Sequence, residues 1–191
     1  MKKIIALLLA AVMLTLTISL VSCGGTKDPG DQSKYKSSLE LFKKIWGSYT
    51  DDEKFFCAGG DEEHDSEDAP GIVDIEKYKD YIMSNTHITQ DLLGMVTNDA
   101  ASLAHMNTNI FSSAIFHLKD ASTAEKFAND YNAVIQNTHW MCGFPDSVIA
   151  VSVGEYIIVA IGDEELISTF KTKCLAADTS AKLLIDNAIE A

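Results

Sequence analysis

Arginine is absent from this chain. Every basic residue is lysine, 15 against 28 acids, and the net charge is −13 over 191 residues. That balance excludes nucleic acid as a partner, because a basic face is needed to displace phosphate counterions. The missing guanidinium also removes the two-pronged donor that grips phosphate and carboxylate best. The fixed-spacing catalytic motifs are missing too. There is no G-x-S-x-G nucleophile turn, no phosphate-cradling G-x-x-x-x-G-K-[ST], and no G-x-G-x-x-G, H-E-x-x-H or calcium-loop pattern. No C-x-x-C pair occurs, so cysteine alone does not build a zinc site. No internal repeat is visible. These absences leave no catalytic residue and no metal or cofactor site to nominate.

What is present begins with a leader. Lys2 and Lys3 precede an apolar run from Ile4 to Leu20, followed by Leu20-Val21-Ser22-Cys23-Gly24-Gly25. A short apolar segment behind two lysines reads as a secretory signal rather than a structural helix. Its ending is similar to a bacterial lipobox, with cleavage expected before Cys23 and a diacylglyceryl group on the Cys23 sulfur. Two acyl chains make an anchor durable where one is marginal. Residues 1–22 are thus expected as a lipoprotein signal and 23–33 as lipidated cysteine and polar tether. Losing Lys2 and Lys3 leaves 13 Lys against 28 acids, a charge that repels an anionic bilayer surface. The location expected is the extracytoplasmic face of the cell membrane.

Residues 34–191 are expected to form one domain. Leu39, Phe42, Ile45, Trp46 and Tyr49 mark a helix over 35–49, capped by Ser37 or Ser38 and ended by Gly47. Residues 51–71 hold nine acids against one lysine and read as a long acidic surface loop. Within it Asp61–Asp68 offers six carboxylates in eight residues, without the glycine-centred spacing of a calcium loop. Residues 72–83 suggest a short helix. Residues 89–105 carry a helical stripe that Gly94 weakens. Asn107–Asn109 is a turn, and Phe111–Leu118 a strand.

A capping box at Ser122–Glu125 then opens a helix. Val148–Val153 and Tyr156–Ile161 are strands of a hairpin turning at Gly154-Glu155. Asp163 caps a further helix that places Lys171 and Lys173 in its last turn, and a final helix is expected over 180–189. The C-terminal order β-α-β-β-α predicts an α+β fold, a small mixed or antiparallel sheet in a two-layer sandwich with helices. The near-continuously apolar hairpin strands call for cover on their second face, which the N-terminal helices supply.

Two groups of residues carry functional interest. The histidines at 64, 87, 105, 117 and 139 show no converging ligand spacing. Cys57, Cys142 and Cys174 allow at most one disulfide and read as buried thiols. The segment Asn137–Asp146 instead concentrates Trp140, Met141 and Phe144 in a loop, where polar residues are the rule. Such side chains anchor binding surfaces, or they close the core beneath a sheet edge.

The lipobox, together with the stretches Asn107–Asp120, Gln136–Asp146, Glu155–Gly162 and Thr169–Lys173, resembles a family of small uncharacterised lipoproteins of Gram-positive anaerobes that carry a domain of unknown function. The resemblance implies a membrane-attached extracytoplasmic α+β domain and brings no functional residues with it. The expectation is a non-enzymatic binding module for a protein partner or a small ligand. The alternatives are an envelope hydrolase or a metal or heme carrier.

Overall fold

The structure, a computed structural model, describes residues 34–105, 110–141 and 143–190. Cys23, the leader, residues 23–33, the Asn107–Asn109 turn and Cys142 lie outside them. Ser37 opens the first helix, α1 (Ser38–Trp46), where its hydroxyl accepts the Glu40 amide, and Gly47 closes it. Leu41, Phe42, Ile45 and Trp46 form its buried stripe, as their spacing requires.

The acidic segment differs from a plain loop. It contains β1 (Cys57–Gly59) and β2 (Ser66–Glu67), and β3 (Gly71–Val73) begins at its last residue. β1 and β3 lie one after the other along the same edge of β4 (Val96–His105). Cys57 and Ala58 face His105 and Ala104, and Gly71–Val73 face Ser102–Ala100. The helix expected over 72–83 is displaced to α2 (Lys79–Thr86), because Ile72 and Val73 are taken by that pairing.

The stripe over 89–105 is helical only in α3 (Gln90–Leu93), which Thr89 caps. Beyond Gly94 the chain is β4. Both faces of this strand are covered, so Ala100, Ala101, Leu103 and Ala104 read as apolar in either period, and alanine gives sequence reasoning no means of choosing.

β5 (Phe111–Leu118) leads through a 3₁₀ turn, Ala121–Thr123, into α4 (Ala124–Gln136). The capping box does not form. Asp120 accepts the Ser122 amide one turn earlier, and Thr123 makes no side-chain cap. β6 (Ser147–Val153) and β7 (Tyr156–Gly162) are the expected hairpin, with Gly154 at φ 58°, the left-handed region that glycine enters without strain.

In α5 (Glu164–Ala177) the helix outruns its expected end, so no basic residue occupies its last turn. Lys171 and Lys173 instead reach Asp186 and Glu53. The final helix is a strand, β8 (Lys182–Ala188), paired with β6. β6 is buried on both faces, and its outer backbone groups need partners that a helix would not supply. That requirement overrides the helix preference of Leu183 and Leu184.

The strand order is β2-β1-β4-β5-β7-β6-β8, with β3 beside β4, and every pairing is antiparallel. β7 slots between β5 and β6, which the α4 crossover holds apart. Every residue of β7 is buried. Ile157, Val159 and Ile161 face α2, α3 and α4 together with Phe116, Phe127 and Tyr131. Tyr156, Ile158 and Ala160 face α1 and α5 together with Phe42, Phe111 and Phe170. The fold is α+β, and helices cover both faces of one sheet.

Candidate functional site

The strand registers define two ends of the sheet. Cys57 lies opposite His105, Phe111 opposite Gly162, and Ser147 opposite both Gly162 and Ala188. β1, β5 and β6 therefore start, and β4, β7 and β8 finish, at one end. The Asn137–Asp146 loop enters the sheet there. The other end is the β6–β7 hairpin, about 20 Å away at the rise of a seven-residue strand. The described chain begins at that hairpin end. The Tyr156 hydroxyl donates to the Tyr35 carbonyl at 3.2 Å, the Tyr35 hydroxyl donates to the Ala177 carbonyl at 2.8 Å, and Lys34 pairs with Asp178 at 3.2 Å.

The three apolar side chains of the loop part company. Trp140 turns inward and packs on the α4 side of the core. Its ring meets His87 edge to face, with centroids 4.7 Å apart at 64°. His87 ends α2 in the left-handed conformation, φ 57°, and burial holds its imidazole below the usual histidine range. The Trp140 Nε1 is buried and has no hydrogen-bond partner among the described residues.

Met141 and Phe144 turn outward and are 81% and 61% exposed. Gly143 between them stands at φ 82°, where a Cβ would approach Ile110 Cδ1 to 3.0 Å. Pro145 is buried directly after Phe144. Pro145 restricts the backbone directly after Phe144, while the Phe144 ring is offered to solvent.

A cavity of about 250 Å³ lies between this loop and the strand ends, lined by Trp140, His87, His105, Phe111, Ser112 and Pro145 among others. The Ser112 hydroxyl donates to the Asn85 carbonyl at 2.5 Å and ties the end of α2 to β5. The His105 ring stacks on Phe55 at 5.1 Å. Among the described residues the lining contains no carboxylate and no lysine. The volume falls just under the ~300–1,000 Å³ of typical ligand sites, too small to enclose a large cofactor.

Elsewhere the structure brings together residues that the sequence leaves apart. His117 lies with Nδ1 3.7 Å from Asp99 and Nε2 3.6 Å from Glu155. In the sequence, strand alternation puts His117 on the Ile115 face and says nothing of the two carboxylates. Asp61 is buried rather than solvated and organises its loop. Cys57 and Cys174 are buried free thiols. Burial pushes Cys57 up to about 12 and Cys174 well above the ordinary thiol value, so both are poor nucleophiles. Among the described residues no three His, Cys, Asp or Glu side chains are arranged to hold a metal ion.

No family model matches the chain, and neither a curated protein nor a solved structure matches it.

The divergence within the loop can be measured. Trp140→Ala should lower unfolding free energy by about 2–4 kcal/mol, as expected for a large side chain lost from a half-buried site. Phe144→Ala should stay within about 0.5 kcal/mol, as exposed substitutions do. Urea titration of the two variants reads both values. Equal losses would mean that the two rings share one environment.

Proposed function

We propose that this chain is a lipid-anchored lipoprotein of the extracytoplasmic membrane face, and that its domain is a non-enzymatic binding module. The observation that carries the binding role is the exposed Met141 and Phe144 pair beside the buried Pro145. Leaving a Met or Phe side chain in water forgoes about 1.5–3 kcal/mol of burial free energy. A loop that keeps two of them out is arranged for contact.

The anchor rests on the Leu20–Cys23 pattern behind its two lysines and apolar run. Among the described residues no helix is long and apolar enough to cross a membrane. Cys23 precedes Lys34, where the described chain enters the domain at the hairpin end. The Met141–Phe144 loop, at the other end of the strands, is then directed away from the bilayer.

Mass spectrometry of the protein extracted from its own membranes tests the anchor. The expected chain starts at Cys23 and carries a diacylglyceryl group, and Cys23→Ser should abolish both the added mass and cleavage at that point. A native chain that retains Met1 and carries no added mass would overturn the anchor.

A further inference from the structure

We infer that the Met141–Phe144 tip and the groove beside it dock a basic segment of another polypeptide that carries apolar anchors. The inference rests on reading that end of the sheet as a binding surface, and it is independent of the lipid.

Asp146 links the tip to the groove. The groove runs between the start of α5 and the end of β8, has a volume of about 610 Å³, and is lined by Asp146, Glu164, Ile167, Lys171, Asp186 and Asn187 among others. Three carboxylates face one ammonium, and that ammonium is committed, since Lys171 Nζ lies 2.8 Å from Asp186. The Asp146 carboxylate also accepts the first α5 amide, that of Glu164, at 3.3 Å. The positive end of the helix dipole is thereby already met by an acid and is closed to an incoming anion. Glu165 adds further negative charge in the same turn. What remains unmatched is negative, next to two exposed apolar side chains. Met adapts its shape to a partner, Phe supplies a rigid anchor, and rim carboxylates steer and orient a cationic partner.

The other occupants fit less well. A second copy brings its own acidic groove to a surface that already has excess negative charge, in a chain of net charge −13. An anionic bilayer is repelled for the same reason. A small ligand would leave Met141 and Phe144, which stand outside the 250 Å³ cavity lining, uncovered.

The test uses the chain as isolated from cells and two labelled synthetic peptides, one alternating Lys and Leu, the other alternating Glu and Leu. Fluorescence anisotropy is read at low and at physiological salt. The Lys–Leu peptide should bind the natural chain and the Glu–Leu peptide should not. M141S/F144S should weaken binding about tenfold or more, a hot-spot-sized change. Glu164→Lys should weaken it several-fold and flatten its salt dependence. M141S/F144S should keep the urea midpoint of the natural chain, and Glu164→Lys should lower it only slightly, because a cation sits unfavourably at a helix start.

Binding of the Lys–Leu peptide that neither variant alters would overturn the inference, because it would show charge attraction without a site. Equal binding of the Glu–Leu peptide would do the same. Vesicles of phosphatidylcholine or phosphatidylglycerol that retain the natural chain but not M141S/F144S, with no loss of peptide binding in that variant, would assign the tip to lipid instead. If the chain proves to lack the Cys23 lipid, the peptide results stand unchanged. If the chain binds neither peptide nor vesicles, the binding-surface reading falls with the inference.

Discussion

Replacing Gly59 by alanine should destabilise the protein by about 3 kcal/mol or more, at the upper end of overpacking effects. A Cβ at this position would lie 2.3 Å from the Gly71 nitrogen and 2.5 Å from both the Ala69 and Ser102 carbonyl oxygens. All three are backbone atoms, so no side chain can swing aside. The crowding follows from the tandem use of one strand edge. The chain leaves β4 after pairing through Ala58 and returns to it at Gly71, so Gly59 and Gly71 meet where β1 ends and β3 begins. A Cβ on Gly71 would meet Gly59 and Gly60 backbone atoms at 2.6–2.7 Å. Gly94→Ala is the control. Gly94 stands at φ −62° and its nearest contact would be 3.1 Å, so the change should stay within about 1 kcal/mol of neutral. Urea unfolding of the two variants compares them directly, and a Gly59→Ala loss as small as that of Gly94→Ala would show that the crossing relaxes freely.

Asp61→Asn should cost about 2–3 kcal/mol at neutral pH, and the difference from the natural chain should shrink as the solution is acidified. The Asp61 side chain is fully buried. One oxygen accepts the Glu63 and His64 amides at 2.9 and 3.0 Å and contacts His64 Nδ1 at 2.8 Å. The other accepts the Asp74 amide at 2.7 Å. Burial alone would raise this carboxyl, but the Asp74 amide, His64 and the Glu63 amide together outweigh it and hold Asp61 below the usual carboxylate range.

A carboxyl depressed in the folded state stabilises the fold above its unfolded value, near 3.9. That stabilisation is lost as pH falls through the lower folded value. In the Asp61→Asn variant the side-chain amide cannot match both carboxylate oxygens, and its N–H would oppose the N–H of Asp74. The magnitude is that of charge-assisted hydrogen bonds lost in a buried setting. Urea midpoints at pH 7 and pH 3 should show a wide gap that narrows on acidification. A gap that stays constant would mean that the Asp61 charge does not contribute.

These two positions also mark what the sequence conceals. From Phe111 to Ala177 the chain states its fold openly. The helices there each show one apolar stripe, the hairpin strands are near-continuously apolar, and Gly154-Glu155 is a turn dipeptide with a local mechanism. Gly59 and Gly71 look like loop breakers, because nothing local says that two short strands will share one edge of β4. The Leu183–Ile185 run favours helix locally, and only the unsatisfied edge of β6, some thirty residues earlier, makes it a strand. Asp61 sits in a run of acids that reads as solvated, and its burial depends on the Asp74 amide across a turn.

The candidate surface was legible in part. The apolar character of Asn137–Asp146 pointed to the loop. The separation of Trp140 from Met141 and Phe144 was hidden, because the partner that draws Trp140 inward is His87, fifty-three residues earlier in sequence.

The placement of Lys34 and the tip loop at opposite ends of the strands has a mechanical consequence. A pull between them runs along the strands, not across them. The hydrogen bonds of β5, β6 and β7 then bear the load together in shear instead of peeling open one at a time, and resistance to such a pull is a matter of unfolding rate. The first link to yield is at the point of entry, where Tyr35 is held by its hydrogen bonds to Ala177 and Tyr156 and Lys34 by its ion pair with Asp178. Its rupture frees a few residues and leaves the sheet whole, so the Tyr35 clasp takes up the first extension before any strand parts.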